Sequence, residues 1–311
     1  MIPTKQDMLD AHARIKPFIH RTPILTSSSV NEIAQNDIYF KCENFQKMGA
    51  FKMRGATNAI MLLSDDDKAK GGVTHSSGNF AQALSLAAKS QGVKAYIVMP
   101  SSAPQIKQNA VKGYGGEIVI CEPTLEAREK TAEEIAQKTG ATFVHPSNDT
   151  DVIIGQGTAA MELLEDNPDL EVIMTPVGGG GLIGGCSAAT AYFGRNAICI
   201  GGEPFGADDA YHSLKEGRII PPENPQTIAD GLRTQLGHLN FPIIQKYVSE
   251  IIRVEEQEIV DAMRLVWERM KITIEPSSAV PLAALMRSDI KNKKIGIVIS
   301  GGNVDVNKLP F

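Results

Sequence analysis

Short β-branched runs alternate with longer helical patterns along nearly the whole chain, and this alternation restricts the fold more than any single motif. "DIYFKCE" (37–43) reads as a strand and precedes a helical stretch starting near Phe51. "GGVTHS" leads into the Ala-rich "GNFAQALSLAAKSQG", "KAYIVMP" into "PQIKQNAVKGYG", and "GEIVICE" into "TLEAREKTAEEIAQKTG". "TFVHP", "DLEVIMTPV", "AICIGGEP" and "KKIGIVIS" complete the strand-like set. Strands joined by crossover helices make a parallel sheet covered on both faces, so the chain is expected to be α/β. Such sheets bind ligands beyond the carboxyl ends of their strands. The segments there are "HSSGN" (75–79), "GGGGLIGG" (178–185), "GGEPFGADD" (201–209) and "SGGN" (300–303). Without an internal repeat or a low-complexity linker, two lobes are expected to arise by insertion. Residues 71–147 would form the small lobe, and 1–66 with 148–311 the large one.

A net charge of −5 over 311 residues, with no cluster of Lys and Arg, argues against a nucleic-acid or membrane surface. The N-terminus lacks the apolar core of a signal peptide, and no apolar run approaches membrane-spanning length. Cys42, Cys121, Cys186 and Cys199 stand far apart without CxxC spacing and read as small buried hydrophobes in a reducing compartment. A soluble cytoplasmic protein is expected.

"VIMTPVGGGGLIGGCSAATAYF" is a strand, a four-glycine turn and a helix. Consecutive glycines expose backbone N–H groups at a helix N-terminus, forming a nest for a phosphate. Gly179, Gly181 and Gly184 also satisfy GxGxxG, with Glu203 about twenty residues on, as the dinucleotide fingerprint asks. An NAD-dependent dehydrogenase is therefore one reading.

That reading leaves Lys52 unexplained. In "GAFKMRGATNAIMLL" a helix from Phe51 to Leu63 gathers Ala56, Ala59, Ile60 and Leu63 on one face, with Lys52 among them. Arg54 falls on the polar side and needs no special role. An amine on an apolar face near a helix N-terminus has a depressed pKa and becomes a nucleophile suited to a Schiff base. An aldehyde cofactor that also carries a phosphate is pyridoxal phosphate, which uses both the lysine and the glycine nest. Ser300 ends a hydrophobic strand where its hydroxyl could meet a pyridine nitrogen without a full charge, favouring loss of a β-substituent. In "HSSGN" a helix N-terminus suits a substrate carboxylate, with Ser76 read as its N-cap and Ser77 left over. Glu203 and Asp209 could hold Mg²⁺ or Ca²⁺ with a loop carbonyl, although on their own they read as solvated loop acids.

"GAFKMRGA", "HSSGNFAQA", "VGGGGLIGG", "EPFGADD", "TIADGL", "LVWERMKITIEPS" and "SGGNVD" occur in the order found in serine racemases and serine/threonine dehydratases. The chain resembles that family of fold type II pyridoxal-phosphate enzymes from "RTPILTSS" to "SGGNVD". The resemblance implies a two-lobed, tryptophan synthase β-like fold with three-layer lobes, and β-elimination of serine- or threonine-type amino acids with racemisation. It implies that Lys52 binds the cofactor aldehyde and acts as base, with Ser77 as acid/base on the opposite face. Phe51 would pack by the ring, and Asn79 would bond its hydroxyl. Gly178, Gly179, Gly180, Gly181 and Leu182 would hold the phosphate, and Ser300 would meet the ring nitrogen. Ser76, Ser77, Asn79 and Arg128 would serve the substrate. Glu203, the Ala207 carbonyl and Asp209 would hold Mg²⁺, Ca²⁺ or Mn²⁺. A homodimer is implied.

Ala50 stands where many relatives have serine, and Phe80 where the common motif has histidine. Gln82, Tyr114 and Asn79 match positions beside the interface ATP site of mammalian serine racemases, where Ser147 replaces an asparagine. ATP is thus a candidate activator. The chain ends at "SGGNVDVNKLPF" without the regulatory domain of biosynthetic threonine deaminases, so isoleucine feedback is not expected. Within the family, 3-hydroxyaspartate dehydration is the alternative activity, with Arg233 as an extra cation.

Overall fold

The computed structural model describes residues 2–311 and contains two sheets. The larger one carries β1 (Ile24–Leu25), β2 (Asp37–Cys42), β7 (Val172–Pro176), β8 (Ile198–Pro204), β9 (Val248–Val254) and β10 (Lys294–Ile299), in the order β1-β2-β10-β7-β8-β9. The smaller one carries β3 (Gly72–His75), β4 (Ala95–Pro100), β5 (Glu117–Cys121) and β6 (Thr142–Phe143), in the order β5-β4-β3-β6. Every strand pairing is parallel except β1 with β2. Strands buried on both faces need no polar alternation, and all five residues of β7 are buried. The expected strands are present, each trimmed by a few residues. β1 and β9 were not anticipated. β1 is two residues long, while β9 lies at the sheet edge with Glu250 and Arg253 breaking any apolar run.

Among the described residues no helix is long and apolar enough to cross a membrane. The cysteines are free, with Cys42, Cys186 and Cys199 buried and Cys121 partly so.

The helix Lys52–Leu62 packs between the helices Asn79–Ser90 and Thr150–Asp166. Gly55 and Gly155 let two backbones touch: a Cβ on Gly155 would lie 2.7 Å from the Gly55 Cα. Enclosure on several sides corrects the expectation for Arg54, which is completely buried rather than on a solvent face. Its guanidinium donates to both Glu43 oxygens at 2.8 Å and to Glu162 at 3.0 and 2.8 Å, and also to Thr158 Oγ1. Lys41 Nζ adds a 2.7 Å bond to Glu162, and His12 Nε2 lies 3.1 Å from the same carboxylate. Burial pushes the Glu162 carboxyl upward, but the His12 hydrogen bond, Arg54 and Lys41 overcome this and hold it below the usual range.

Candidate active site

The loop after β2 delivers Lys52 to a point between the end of β10 and the segment that follows β6. Its backbone is fixed to the end of β10: Phe51 N–H donates to the Ser300 carbonyl at 2.9 Å, and Ala50 bridges Gly301. Ser300 is therefore a neighbour of the lysine through the main chain, although 248 positions separate them in sequence. The Lys52 amine donates to the Pro146 carbonyl at 2.8 Å and lies 5.0 Å from the Phe51 ring and 5.7 Å from the Phe80 ring. Burial lowers its pKa to about 8, with Glu275 pulling weakly the other way. The lysine thus gives up its proton far more readily than a free one, as its place on the apolar face suggested. Phe80, which stands where the common motif has histidine, is one of the rings that bury it.

β7 ends in the glycine loop. Gly180 has φ +79°, a left-handed conformation, and the helix Gly181–Phe193 starts on the next residue. A Cβ on Gly179 would lie 2.5 Å from Ser147 Oγ, and one on Gly181 3.0 Å from Ser147 Cα. Side chains are sterically excluded from the loop, which leaves its N–H groups uncovered at a helix N-terminus. Leu182, on the first turn of that helix, is buried.

β3 ends in His75, followed by Ser76, Ser77 and Gly78. The N-cap of the helix Asn79–Ser90 is Gly78 rather than Ser76. Ser76 Oγ instead accepts the Gly78 N–H at 3.3 Å, forming a local turn that takes it off the helix axis. Among the described residues Ser77 Oγ has no hydrogen-bond partner, and the residue is partly exposed. Asn79 is gripped across the cleft. It donates to both Glu275 oxygens at 3.1 Å and accepts from Asn303 at 2.9 Å. Glu275 was missed in the sequence, where "IEPSS" was read only as part of the resemblance. Burial raises its pKa to about 7 against the Asn79 hydrogen bond.

Ser300 is buried, and its hydroxyl lies 2.9 Å from that of Ser278, a second residue the sequence reading passed over. Arg128 stands on the helix Leu125–Thr139, donating to its own Thr124 carbonyl at 3.3 Å, close enough to His75 to disfavour a charge there. Arg233 is exposed and donates through Nε (2.7 Å) and Nη2 to the Thr227 carbonyl.

Glu203 and Asp209 are buried, which corrects the picture of solvated loop acids. Glu203 accepts the N–H groups of Ala210 (3.0 Å) and Tyr211 (2.8 Å), so its carboxylate is turned inward and cannot serve a ribose hydroxyl. The dinucleotide reading loses its acidic partner for that reason. Asp209 Oδ2 is buried without a hydrogen-bond partner, and Ala207 is buried nearby in the loop. Burial raises both acids, Asp209 to about 7, and the Asp209 carboxylate lifts Glu203 further. A cation would resolve that orphaned oxygen.

A lysine amine near neutrality, a side-chain-free glycine cradle and a buried serine at the end of β10 fit pyridoxal phosphate. Comparison with known proteins agrees. A β-hydroxyaspartate dehydratase from Paracoccus denitrificans (strain Pd 1222) is 49% identical over 312 residues, covering 100% of this chain and 99% of its own. The crystal structure of serine racemase from Dictyostelium discoideum matches with a TM-score of 0.95 and 50% identity, over 98% of this chain and 100% of that one. The crystal structure of a threonine deaminase from T.th. matches with a TM-score of 0.93 and 39% identity, over 98% of this chain and 100% of that one. The model of one family, described as "Pyridoxal-phosphate dependent enzyme", matches residues 15–301. On these grounds the chain belongs to the pyridoxal-phosphate dependent enzymes.

Proposed function

We propose that the chain acts on serine- and threonine-type β-hydroxy amino acids, taking the α-proton and expelling the β-hydroxyl to release a 2-oxo acid and ammonia, and that it also racemises serine. The observation that carries this reading is Lys52, an amine lowered to about 8 that donates to one backbone carbonyl at the cleft. Bound pyridoxal phosphate supplies the electron sink for the α-carbon's electron pair. Lys52 accepts the α-proton from one side, and the Ser77 hydroxyl exchanges a proton on the other. Gly178, Gly179, Gly180, Gly181 and Leu182 would hold the phosphate, Phe51 and Asn79 would contact the ring, and Ser300 would offer a hydroxyl to its nitrogen. Ser76, Asn79 and Arg128 orient the substrate carboxylate. Residues 71–147 act as the small lobe against 1–66 and 148–311, in a homodimer. ATP is included as an activator on the resemblance alone, and its addition to the same assay is the check.

The test is a panel of L-serine, D-serine, L-threonine and 3-hydroxyaspartate, reading oxo-acid release and product chirality. Turnover of none of them by a protein with a borohydride-reducible visible band sinks the substrate assignment. 3-Hydroxyaspartate stands as a second reading because of the Paracoccus denitrificans relative. Nη1 of Arg233 is the candidate for its second carboxylate.

Ser77→Ala is expected to lower racemisation and D-serine turnover by about 10²–10⁴-fold while L-serine dehydration persists. Full racemisation by that variant would reassign the second proton site.

We further assign Glu203, Asp209 and the Ala207 carbonyl to a divalent cation. An acid raised from 3.8 to about 7 gives stability that is present below its unfolded pKa and lost as pH rises through the folded one. With chelator the melting temperature is therefore expected to fall between about pH 4 and pH 7. Mg²⁺ at saturation should restore it at pH 7.5 by roughly 5 °C. A melting temperature indifferent to chelator and Mg²⁺ removes the cation.

A further inference from the structure

A short strap of chain, His145 to Asn148, passes between the lysine and the glycine loop. Its Pro146 carbonyl accepts the Lys52 amine at 2.8 Å. The next carbonyl, that of Ser147, accepts Asn240 Nδ2 at 3.0 Å, and the same nitrogen donates to the Gly179 carbonyl at 2.8 Å. Asn240 is completely buried, and its Oδ1 accepts the Gly237 N–H at 3.1 Å. Ser147 also fills the space that side chains on Gly179 and Gly181 would need. Consecutive carbonyls thus secure the amine on one side and the cradle on the other.

The bend that aims these carbonyls is closed by a side chain. His145 Nδ1 accepts two backbone N–H groups, from Ser147 at 3.1 Å and Asn148 at 2.8 Å. Nδ1 must be unprotonated to accept them, which places the ring hydrogen on Nε2. The ring faces His75 at 5.8 Å and Phe143 at 6.1 Å, with Lys52, His238 and Asp149, whose carboxyl takes the His145 backbone N–H, as the other nearby titratable groups. Burial, reinforced by His75, Lys52 and His238, holds its pKa down to about 4. The acceptor therefore persists at any pH above that range.

We propose that His145 is a positioning residue whose imidazole folds the 145–148 strap, fixing the separation between the Lys52 amine and the phosphate cradle. The ligand class this serves carries an aldehyde and a phosphate on one rigid ring, so the inference rests on the cofactor assignment above. A ligand that engages both ends gains from that fixed separation; one that engages a single end does not.

The holoenzyme is stripped with hydroxylamine and refilled with two probes. These are pyridoxal phosphate and 4′-deoxypyridoxine phosphate, which keeps the phosphate and lacks the aldehyde. In His145→Leu the two N–H groups lose their acceptor. The Kd for pyridoxal phosphate is expected to rise on the order of tenfold, and that for the deoxy probe by less than about twofold. His145→Asn, whose side-chain oxygen can accept the same N–H groups in an Asx turn, should recover most of the loss. Asn240→Leu removes both donations without placing a charge beside the cradle. It should reproduce the probe-selective loss, and it carries the test if His145→Leu does not fold. Equal weakening of both probes, or undiminished pyridoxal phosphate binding, overturns the proposal. A wild-type protein that binds neither probe and shows no reducible band sinks the cofactor assignment instead.

Discussion

Lys52→Ala is expected to abolish turnover of every substrate in the panel, by a factor on the order of 10⁴ or more, and to remove the borohydride-reducible visible band. The same substitution should leave the fold intact and make the cofactor-free protein more stable at neutral pH. A lysine whose folded pKa is about 8 against 10.5 unfolded costs stability below the folded value, and the cost disappears as pH rises through the unfolded one. Alanine removes that cost. Melting curves of the stripped wild type and variant at pH 7 and pH 10 measure it, with the difference largest at pH 7. Retention of the visible band would move the Schiff-base lysine elsewhere. A lower melting temperature at pH 7 would mean the amine is not desolvated.

Glu162→Gln is expected to carry the largest stability loss of any single substitution named here, about 3–5 kcal/mol, because Arg54 and Lys41 then sit buried without their shared carboxylate. For a chain of this size that is a fall of roughly 10 °C in melting temperature. The pH dependence has a definite sign. Glu162 is held below its ordinary range, so its contribution is present above the unfolded pKa of about 4.5 and fades only as pH drops through the folded value. The gap between wild type and variant should therefore be full at pH 7 and narrow in strong acid. A loss under about 1 kcal/mol at pH 7 would show that the cluster is energetically neutral.

The strand and helix pattern was legible because it is local: hydrophobic runs, breakers and glycines announce themselves within a dozen residues. Lys52 and the glycine loop were legible for the same reason, one as a charge among apolar neighbours, the other as a run too long for a turn. What failed was anything requiring a distant partner. Arg54 looked like a surface cation since its counter-charge Glu162 lies 108 positions away. Glu275 was silent because its meaning comes from Asn79, 196 positions earlier. Asn240 and Ser147, 93 apart, carried no local signal at all. Glu203 and Asp209 were misjudged alone, since the sequence did not reveal that one ends a buried strand and the other opens a buried helix turn. The family resemblance supplied the roles for several of these positions, and the folded chain supplied the contacts.

The rung between Phe51 and Ser300 has a mechanical consequence. The lysine and the serine assigned to opposite ends of one aromatic ring hang from the same hydrogen-bonded piece of backbone. Breathing of the cleft therefore carries them together and leaves their spacing alone. Amide hydrogen exchange at Phe51 should be slow and keep pace with β10, while the Ser76–Gly78 turn exchanges faster. Any displacement of the serine turn would leave the spacing set by that rung unchanged.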